Sequence, residues 1–309
     1  MRFACLSALL KALLLLWLPG LGRSQPYAFT LGNKTHGWVE RLSLQPRAFL
    51  LHGFLSTDEA DYIIQTALPE LQRSEVVGPD GKEMLDDIRT SLGAFLLKDR
   101  DPVLKVIEDR VAAATHLPNA NHEDLQVLRY EKGQTYRDHY DINDSPERLA
   151  QMKASGQLGG MRSATLLMYL SDVQEGGETA FPYGRWIDAG KQASPPYSEC
   201  AARGTAVKPR KGDAVLFFSL KPDGKKKDIY SFHAGCPVIR GVKFSATKWI
   251  HVEEFGQADV SDPPAEGCAD SRPECKTWAA DGECERNKGY MVGPRGHCRL
   301  SCGECQPEP

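Results

Sequence analysis

The sequence predicts an α+β fold that is mainly β. The expected core is a double-stranded β-helix (jelly roll) with supporting N-terminal helices, and a small disulfide-rich module follows at the C-terminal side. Three observations carry this reading. Two capped, amphipathic helical segments come early in the chain. About eight short strand-like runs, separated by Gly- and Pro-containing turns, follow them. Six of the nine cysteines then crowd into Cys268–Cys305, a density that belongs to an oxidising compartment.

The 309 residues suit one domain of about 200–250 residues plus an appendage. Apolar content of 41% and charged content of 26% are those of a globular chain. A formal net charge of −3 gives no electrostatic footprint for a nucleic-acid partner.

Taken in order, residues 1–24 read as a secretory signal peptide. Arg2 and Lys11 supply positive charge, residues 13–18 are apolar, and Gly22-Arg23-Ser24 offers a cleavable spacing. The apolar run is far shorter than the ~20 residues of a spanning helix. An uncleaved signal anchor is the alternative. Asn33-Lys34-Thr35 is a glycosylation sequon with Asn33 as acceptor. These features, with the cysteine density, place the expected protein in the endoplasmic reticulum or the secretory lumen.

Residues 25–45 read as a lead-in, and 45–122 as the N-terminal helical part of the main domain. Ser56 with Glu59 spells a capping box, opening a helix through Tyr62, Ile63, Ile64 and Leu68. Residues 72–88 read as a polar loop. Asp101-Pro102 is an N-cap and first-turn pair ahead of Val103, Val106, Ile107 and Val111. Residues 123–252 form the expected β core, with strands at 126–130, 164–170, 179–181, 206–208, 214–218, 237–239 and 243–252. Residues 253–267, including Asp262-Pro263-Pro264-Ala265, read as a linker to a module at 268–305. The six cysteines of that module allow 15 pairings. A zinc site is disfavoured because no second CxxC or His pair completes one.

The chemical clue is His139-Tyr140-Asp141. Residues two apart on an extended segment share a face, so one imidazole and one carboxylate can reach one metal ion. His233, near the end of the strand-rich half, is the best third ligand. Two histidines and a carboxylate form the facial triad of non-haem iron(II) oxygenases, with open positions for a 2-oxo acid and dioxygen. Alone, His-x-Asp is weak and is usually a surface polar pair. Lys243 adds weight, since a lysine within an apolar strand is costly when buried unless an anion partners it. A bound dicarboxylate would be such an anion. An exposed lysine on an edge strand is the alternative.

Several segments resemble the catalytic domain of prolyl 4-hydroxylases of the plant and algal type. They include Tyr136-Arg137-Asp138-His139-Tyr140-Asp141, Gly176-Gly177-Glu178-Thr179-Ala180-Phe181-Pro182, His233-Ala234-Gly235-Cys236-Pro237 and Gly241-Val242-Lys243. Residues 89–93, 128–130, 162–170, 212–218 and 247–250 match as well. The resemblance implies iron(II) on His139, Asp141 and His233, and 2-oxoglutarate on Lys243, Tyr130 and Thr247. It implies catalytic roles for Arg162, Tyr136, Trp249 and His251, and substrate contacts from Arg89, Ser91, Glu123 and Tyr140. Plain structural roles are the alternatives for Trp249, Arg162, Glu123 and His251. The implied reaction is 4-hydroxylation of peptidyl proline, using O2 and decarboxylating 2-oxoglutarate to succinate and CO2, with L-ascorbate as reductant. The expected partner is a proline-rich, polyproline II peptide. An oxygenase of other side-chain specificity, and a metal-free peptide binder on the same groove, are the competing readings.

The tail, with Cys275-Lys276-Thr277-Trp278 and Cys298-Arg299-Leu300-Ser301-Cys302-Gly303-Glu304-Cys305, resembles the ShK toxin-like module. That implies Cys268–Cys305, Cys275–Cys298 and Cys284–Cys302, and a ligand of unknown identity. The Lys-Tyr pair that channel binding needs is approached only by Lys288 and Tyr290, so that activity is not carried over. Cys200 and Cys236 are either a further disulfide or two buried thiols.

Overall fold

The computed structural model describes residues 27–31, 34–74, 76–77, 83–84, 87–98, 100–142, 157–191, 197–257, 268–271, 274–286, 291–292 and 297–305. The signal segment 1–24, Asn33, Asp262-Pro263-Pro264-Ala265, Lys288 and Tyr290 lie outside them.

Both expected helices form where their caps lie. Helix α1 spans Thr57–Ala67, with Ser56 accepting from the Glu59 backbone while Glu59 accepts from the Ser56 N–H. Its buried line is Ala60, Ile63 and Ala67, spaced for one face of a helix. Tyr62 and Ile64 pack beside this line. Leu68 is the C-cap and is 49% exposed, a correction to its expected inward place. Helix α2 spans Pro102–Thr115, and Asp101 Oδ1 accepts from the amides of Val103 and Leu104. Leu104, Ile107 and Val111 point inward, but Val106 is 54% exposed because it falls a residue short of that line. Arg110 ties the helices together through both Glu59 carboxylate oxygens and the Phe54 carbonyl.

The strands used below are β1 Tyr27–Leu31, β2 Lys34–Gln45, β3 Arg47–His52, β4 Gln72–Arg73, β5 Leu92–Leu96, β6 Leu125–Tyr130 and β7 Tyr136–His139. They continue as β8 Arg162–Tyr169, β9 Thr179–Phe181, β10 Thr205–Val207, β11 Ala214–Phe218, β12 His233–Gly235 and β13 Lys243–His251. Among the described residues one sheet runs β1-β2-β3-β11-β8-β13-β6-β5-β4, with Arg185–Trp186 added on β2. A second sheet runs β10-β9-β12-β7. This is the mainly-β, double-sheet architecture expected, with helices supporting one side. Residues 27–31 and 34–45 are not a lead-in but two strands of the larger sheet. The stretch 72–88 holds β4 and the short strands Val76–Val77 and Glu83–Met84.

The larger sheet uses its two faces differently, and strand alternation decides which residue goes where. Val127, Ala164, Leu166, Met168, Leu216, Ala246 and Ile250 pack with Ile63, Leu104 and Ile107 of the helices. The intervening residues face the other way. A fully buried ion pair, Lys248 Nζ to Glu108 Oε1 at 2.6 Å, anchors β13 to α2. His52 on β3 is clamped between Glu40 (3.1 Å) and Asp213 (3.2 Å), with Trp38 stacked on its ring at 3.9 Å.

Two units emerge, Met1–Asn143 with Arg162–Ile250, and Asp144–Met161 with His251–Pro309. Residues 157–161 are grouped with the second unit, where Gln157–Leu158 pairs with Gly256–Gln257. In its tail, Cys275, Met291 and Cys298 are buried among Trp278, Cys284, Val292 and Cys302. Cys268–Cys305, Cys275–Cys298 and Cys284–Cys302 are bonded. Cys200–Cys236 joins the first unit's loop to the strand region after β12.

Candidate active site

His139 closes β7 and His233 opens β12, and the two residues sit directly opposite each other in the antiparallel pair. Asp141 lies two residues beyond β7. Ligand-capable atoms of His139, Asp141 and His233 all lie within 4.8 Å of one another. Asp141 Oδ1 is 3.5 Å from His139 Nε2, and Oδ2 is 3.7 Å from His233 Nε2. These gaps exceed hydrogen bonds and leave three donors converging on a common point.

The backbone sets the tautomers. His139 Nδ1 is 2.7 Å from the Arg137 carbonyl, and His233 Nδ1 is 2.8 Å from the Ser231 carbonyl. A carbonyl only accepts, so each Nδ1 carries the hydrogen and each Nε2 keeps its lone pair. Burial, with His139 alongside, pushes His233 down to about 4, so its ring is neutral near pH 7. Burial alone would raise the Asp141 carboxyl, but its histidine neighbours hold it far below the carboxylate range. Thr165 Oγ1 donates to Asp141 Oδ2 at 2.6 Å, fixing the carboxylate. Two imidazoles and one carboxylate suit iron(II) with positions to spare.

The triad opens into a cleft of about 450 Å³, solvent at its mouth included. The cleft lies on the face of the larger sheet turned from the helices. Lys243, Ser245, Thr247 and Trp249 line it from β13, Leu128 and Tyr130 from β6, Thr165 and Leu167 from β8, and Phe217 from β11. The second sheet adds Tyr136, Thr179 and Gly235. Lys243 pairs in register with Tyr130 and is 3% exposed. Burial pushes its amine down to about 8 against the opposing pull of Glu178. Among the described residues no ion pair or hydrogen bond holds its Nζ. Gly235 also lines the cleft, and a Cβ there would make only ordinary contact with Nζ, at 4.0 Å. A buried ammonium facing an open cleft is a receptor for an anion. Gly176, at φ +75°, lets the neighbouring turn pass Pro237; a Cβ there would meet the Pro237 carbonyl at 2.3 Å.

Of the expected site residues, Arg89, Tyr130, Tyr136, Thr247 and Trp249 join the triad and Lys243 on the wall. Tyr136 stacks on His139 at 3.6 Å, with the Arg89 guanidinium 4.9 Å from its own ring. Burial raises the Tyr136 phenol to about 12, so it stays a donor. Arg162 is outside the wall: it makes a two-pronged pair with Glu123 (2.5 and 2.9 Å) and lies 3.8 Å over Trp249. Burial opposes the Arg162 charge, but Glu123 holds its pKa above the ordinary value. Ser91 is also off the wall, its hydroxyl donating to Ser74. Tyr140 faces outward beside Phe232. His251 belongs to the second unit, with its ring on Phe255 and Nδ1 3.1 Å from the Gly160 carbonyl. Thr165, Thr179 and Ser245 were not expected. Ser245 repeats a hydroxyl two residues before Thr247 in the same strand, whereas Thr165 and Thr179 suit a strand for their β-branched shape alone.

Residues 125–251 match the family model of the 2OG-Fe(II) oxygenase superfamily, and residues 267–305 match the ShK domain-like model. The fold and the site thus define a 2-oxoglutarate- and iron(II)-dependent oxygenase. The chain is 45% identical over 276 residues to "Probable prolyl 4-hydroxylase 4" of Arabidopsis thaliana, covering 86% of this chain and 88% of that protein. It is 45% identical over 273 residues to "Prolyl 4-hydroxylase 2" of the same plant, at 86% and 88% coverage. Among solved structures it is similar to the viral collagen prolyl hydroxylase of Paramecium bursaria Chlorella virus-1 in its 2OG complex. There the identity is 27%, with 67% of this chain and 96% of that chain covered and a TM-score of 0.46. The chain belongs to the prolyl 4-hydroxylase family.

Proposed function

We propose that this protein hydroxylates C4 of peptidyl proline in proline-rich proteins of the secretory lumen. His139, Asp141 and His233 would hold iron(II), and Lys243 would hold the distal carboxylate of 2-oxoglutarate. Bound together, metal and oxo acid supply oxidative decarboxylation to succinate and CO2 with O2, coupled to hydroxylation of a C–H bond. The chain's own part is to bind, orient and keep water out. Lys243 supplies the buried positive charge, and Tyr130, opposite it in register, and Thr247 line the same end. Thr165 holds the Asp141 carboxylate in one orientation. The Tyr136 and Trp249 rings face the cleft and offer apolar walls for the proline ring, while Arg162 stiffens Trp249 from behind. L-Ascorbate would serve as reductant when turnover uncouples. Eight cysteines joined in four disulfides support an oxidising compartment. The tail module is read as a binding or stabilising appendage.

The carrying observation is the buried Lys243 ammonium, without an ion pair or hydrogen bond among the described residues, in the same cleft as the triad. The test measures succinate release and peptide mass with iron(II), 2-oxoglutarate and ascorbate. Substrates are poly-proline, a collagen-like repeat and a proline-free control. The expected result is a gain of one oxygen on proline, lost in His233→Ala. Succinate without peptide oxidation would remove the proline substrate, and no turnover from iron-loaded protein would remove the enzyme reading.

A further inference from the structure

Glu178 is a buried carboxylate that the reaction described above does not use. It precedes β9 and is 1% exposed. Its oxygens accept from the Ser198 amide at 2.9 Å and the Ser198 hydroxyl at 2.8 Å, and its carbonyl accepts from the Cys236 amide at 2.8 Å. The Cys200–Cys236 disulfide closes the same corner, with Cys200 just beyond Ser198 in the chain. Among the described residues no basic side chain forms an ion pair with Glu178. Lys243 is its complement, buried and equally without an ion pair among the described residues. The residues on either side of Glu178 bring the two together. A Cβ on Gly177 would stand 3.5 Å from Lys243 Cδ. Thr179 accepts from the Tyr169 hydroxyl at 2.8 Å, and Lys243 Nζ lies 5.8 Å from the Tyr169 ring centre.

We propose that Glu178 is a positioning residue for 2-oxoglutarate that acts through Lys243, its fixed negative charge keeping the lysine an ammonium ready for the distal carboxylate. This rests on the reading above that Lys243 receives that carboxylate. A buried charge is costly alone, and charges interact more strongly through protein interior than through water. Glu178 therefore acts without touching Lys243, and standing off leaves Nζ open to the incoming anion. The other groups that face Lys243 do not supply this charge. The ring faces of Tyr130 on β6 and Tyr169 on β8, centred 5.5 and 5.8 Å from Nζ, attract a cation through their quadrupoles rather than through a full charge. Tyr136 on β7 keeps its proton, burial raising its phenol to about 12. His233 on β12 is neutral, burial holding its ring down to about 4. Asp141 is the acidic residue of the cleft lining, and its oxygens turn to His139 and His233. Burial pushes the Lys243 amine down to about 8, and Glu178 pulls it the other way. Removing that pull brings the loss of the ammonium into the neutral range.

The test uses the full chain with iron(II) and no oxygen, titrated with 2-oxoglutarate by calorimetry from about pH 6 to about pH 9. Wild-type affinity is expected to hold at the acid end and to decline as pH passes about 8. In Glu178→Gln the decline should begin about one pH unit lower. That variant should match the wild type at about pH 6 and bind about tenfold more weakly at about pH 8. Glu178→Asp, which keeps the charge, should return most of the difference. Iron(II) affinity in the same samples reports whether the fold survives, and Glu178→Met, of similar shape, takes the place of the Gln variant if it does not. A decline unshifted in the uncharged variant, or a loss of the same size at every pH, overturns the proposal. Lys243→Ala separates the two readings. If it binds 2-oxoglutarate as the wild type does, the anchor assignment falls and the Glu178 proposal with it. If it loses the oxo acid while Glu178→Gln keeps the wild-type profile, the Glu178 proposal alone falls.

Discussion

Lys243 is the residue on which most turns. Its amine is depressed to about 8, so the charge a carboxylate needs is present below that pH and is lost above it. The affinity for 2-oxoglutarate should fall as pH rises through about 8, measured by titrating the oxo acid at fixed iron. Lys243→Ala should weaken that affinity by on the order of a hundredfold or more, since it strands a buried carboxylate. Thr165→Val keeps the shape but removes the donor to Asp141. Metal affinity should drop about 10- to 100-fold with the fold intact, as supports of a metal ligand do elsewhere, read by iron(II) titration. His139, Asp141, His233 and Lys243 were legible because each is a chemically unusual residue at a telling spacing. Thr165 was not, because a lone threonine fits a strand equally well for its β-branched shape. Ser91 and Tyr140 stand off the cleft wall, beside Ser74 and Phe232, and a linear motif does not say which way a side chain turns.

At the scale of elements, the sequence yielded the caps of α1 and α2 and the strands Thr179–Phe181 and Ala214–Phe218 as they stand. Those segments combine local chemistry with clear turn signals. β1, β2, β3 and β5 escaped notice. β2 carries Trp38 and Leu44 on an exposed side, so its pattern lacks the apolar alternation that marks a half-buried strand. It is held instead by a polar clamp. Both carboxylates raise the His52 imidazole to about 9 against the opposing effect of burial. Its stabilising contribution is complete below the ordinary value of 6.5 and is lost as pH climbs through about 9. Urea midpoints should therefore decline between those values in the wild type, and His52→Gln should flatten that decline.

For the molecule as a whole, short strand-like runs between turns announced a β core, and cysteine density a stapled tail. The pairing of Gln157–Leu158 with Gly256–Gln257 could not be foreseen, because it joins two-residue segments distant in sequence. The tail has little to bury beyond Cys275, Met291 and Cys298, so its bonds must do what a larger core would do. Closing the segment between Cys275 and Cys298, 23 residues apart, is worth about 3 kcal/mol in the chain-entropy account. Replacing both by serine should make the tail protease-sensitive in limited digestion. The triad is built from residues of the first unit, and its metal titration is expected to be unchanged.

The two-faced use of the larger sheet also bears on how this sequence can change over generations. Along β13, odd positions from 243 to 249 serve the chemistry, while the even positions serve structure, 246 and 250 in the apolar core and 248 in the ion pair to α2. A substitution touches one of these duties. Loss or gain of a single codon inside the strand would exchange them along its length, sending Phe244 and Ala246 toward the oxo acid and Lys243 toward the helices. β13 therefore behaves like a reading frame: tolerant of altered letters, intolerant of altered phase. Length variation among relatives of this protein should gather in the connections between strands.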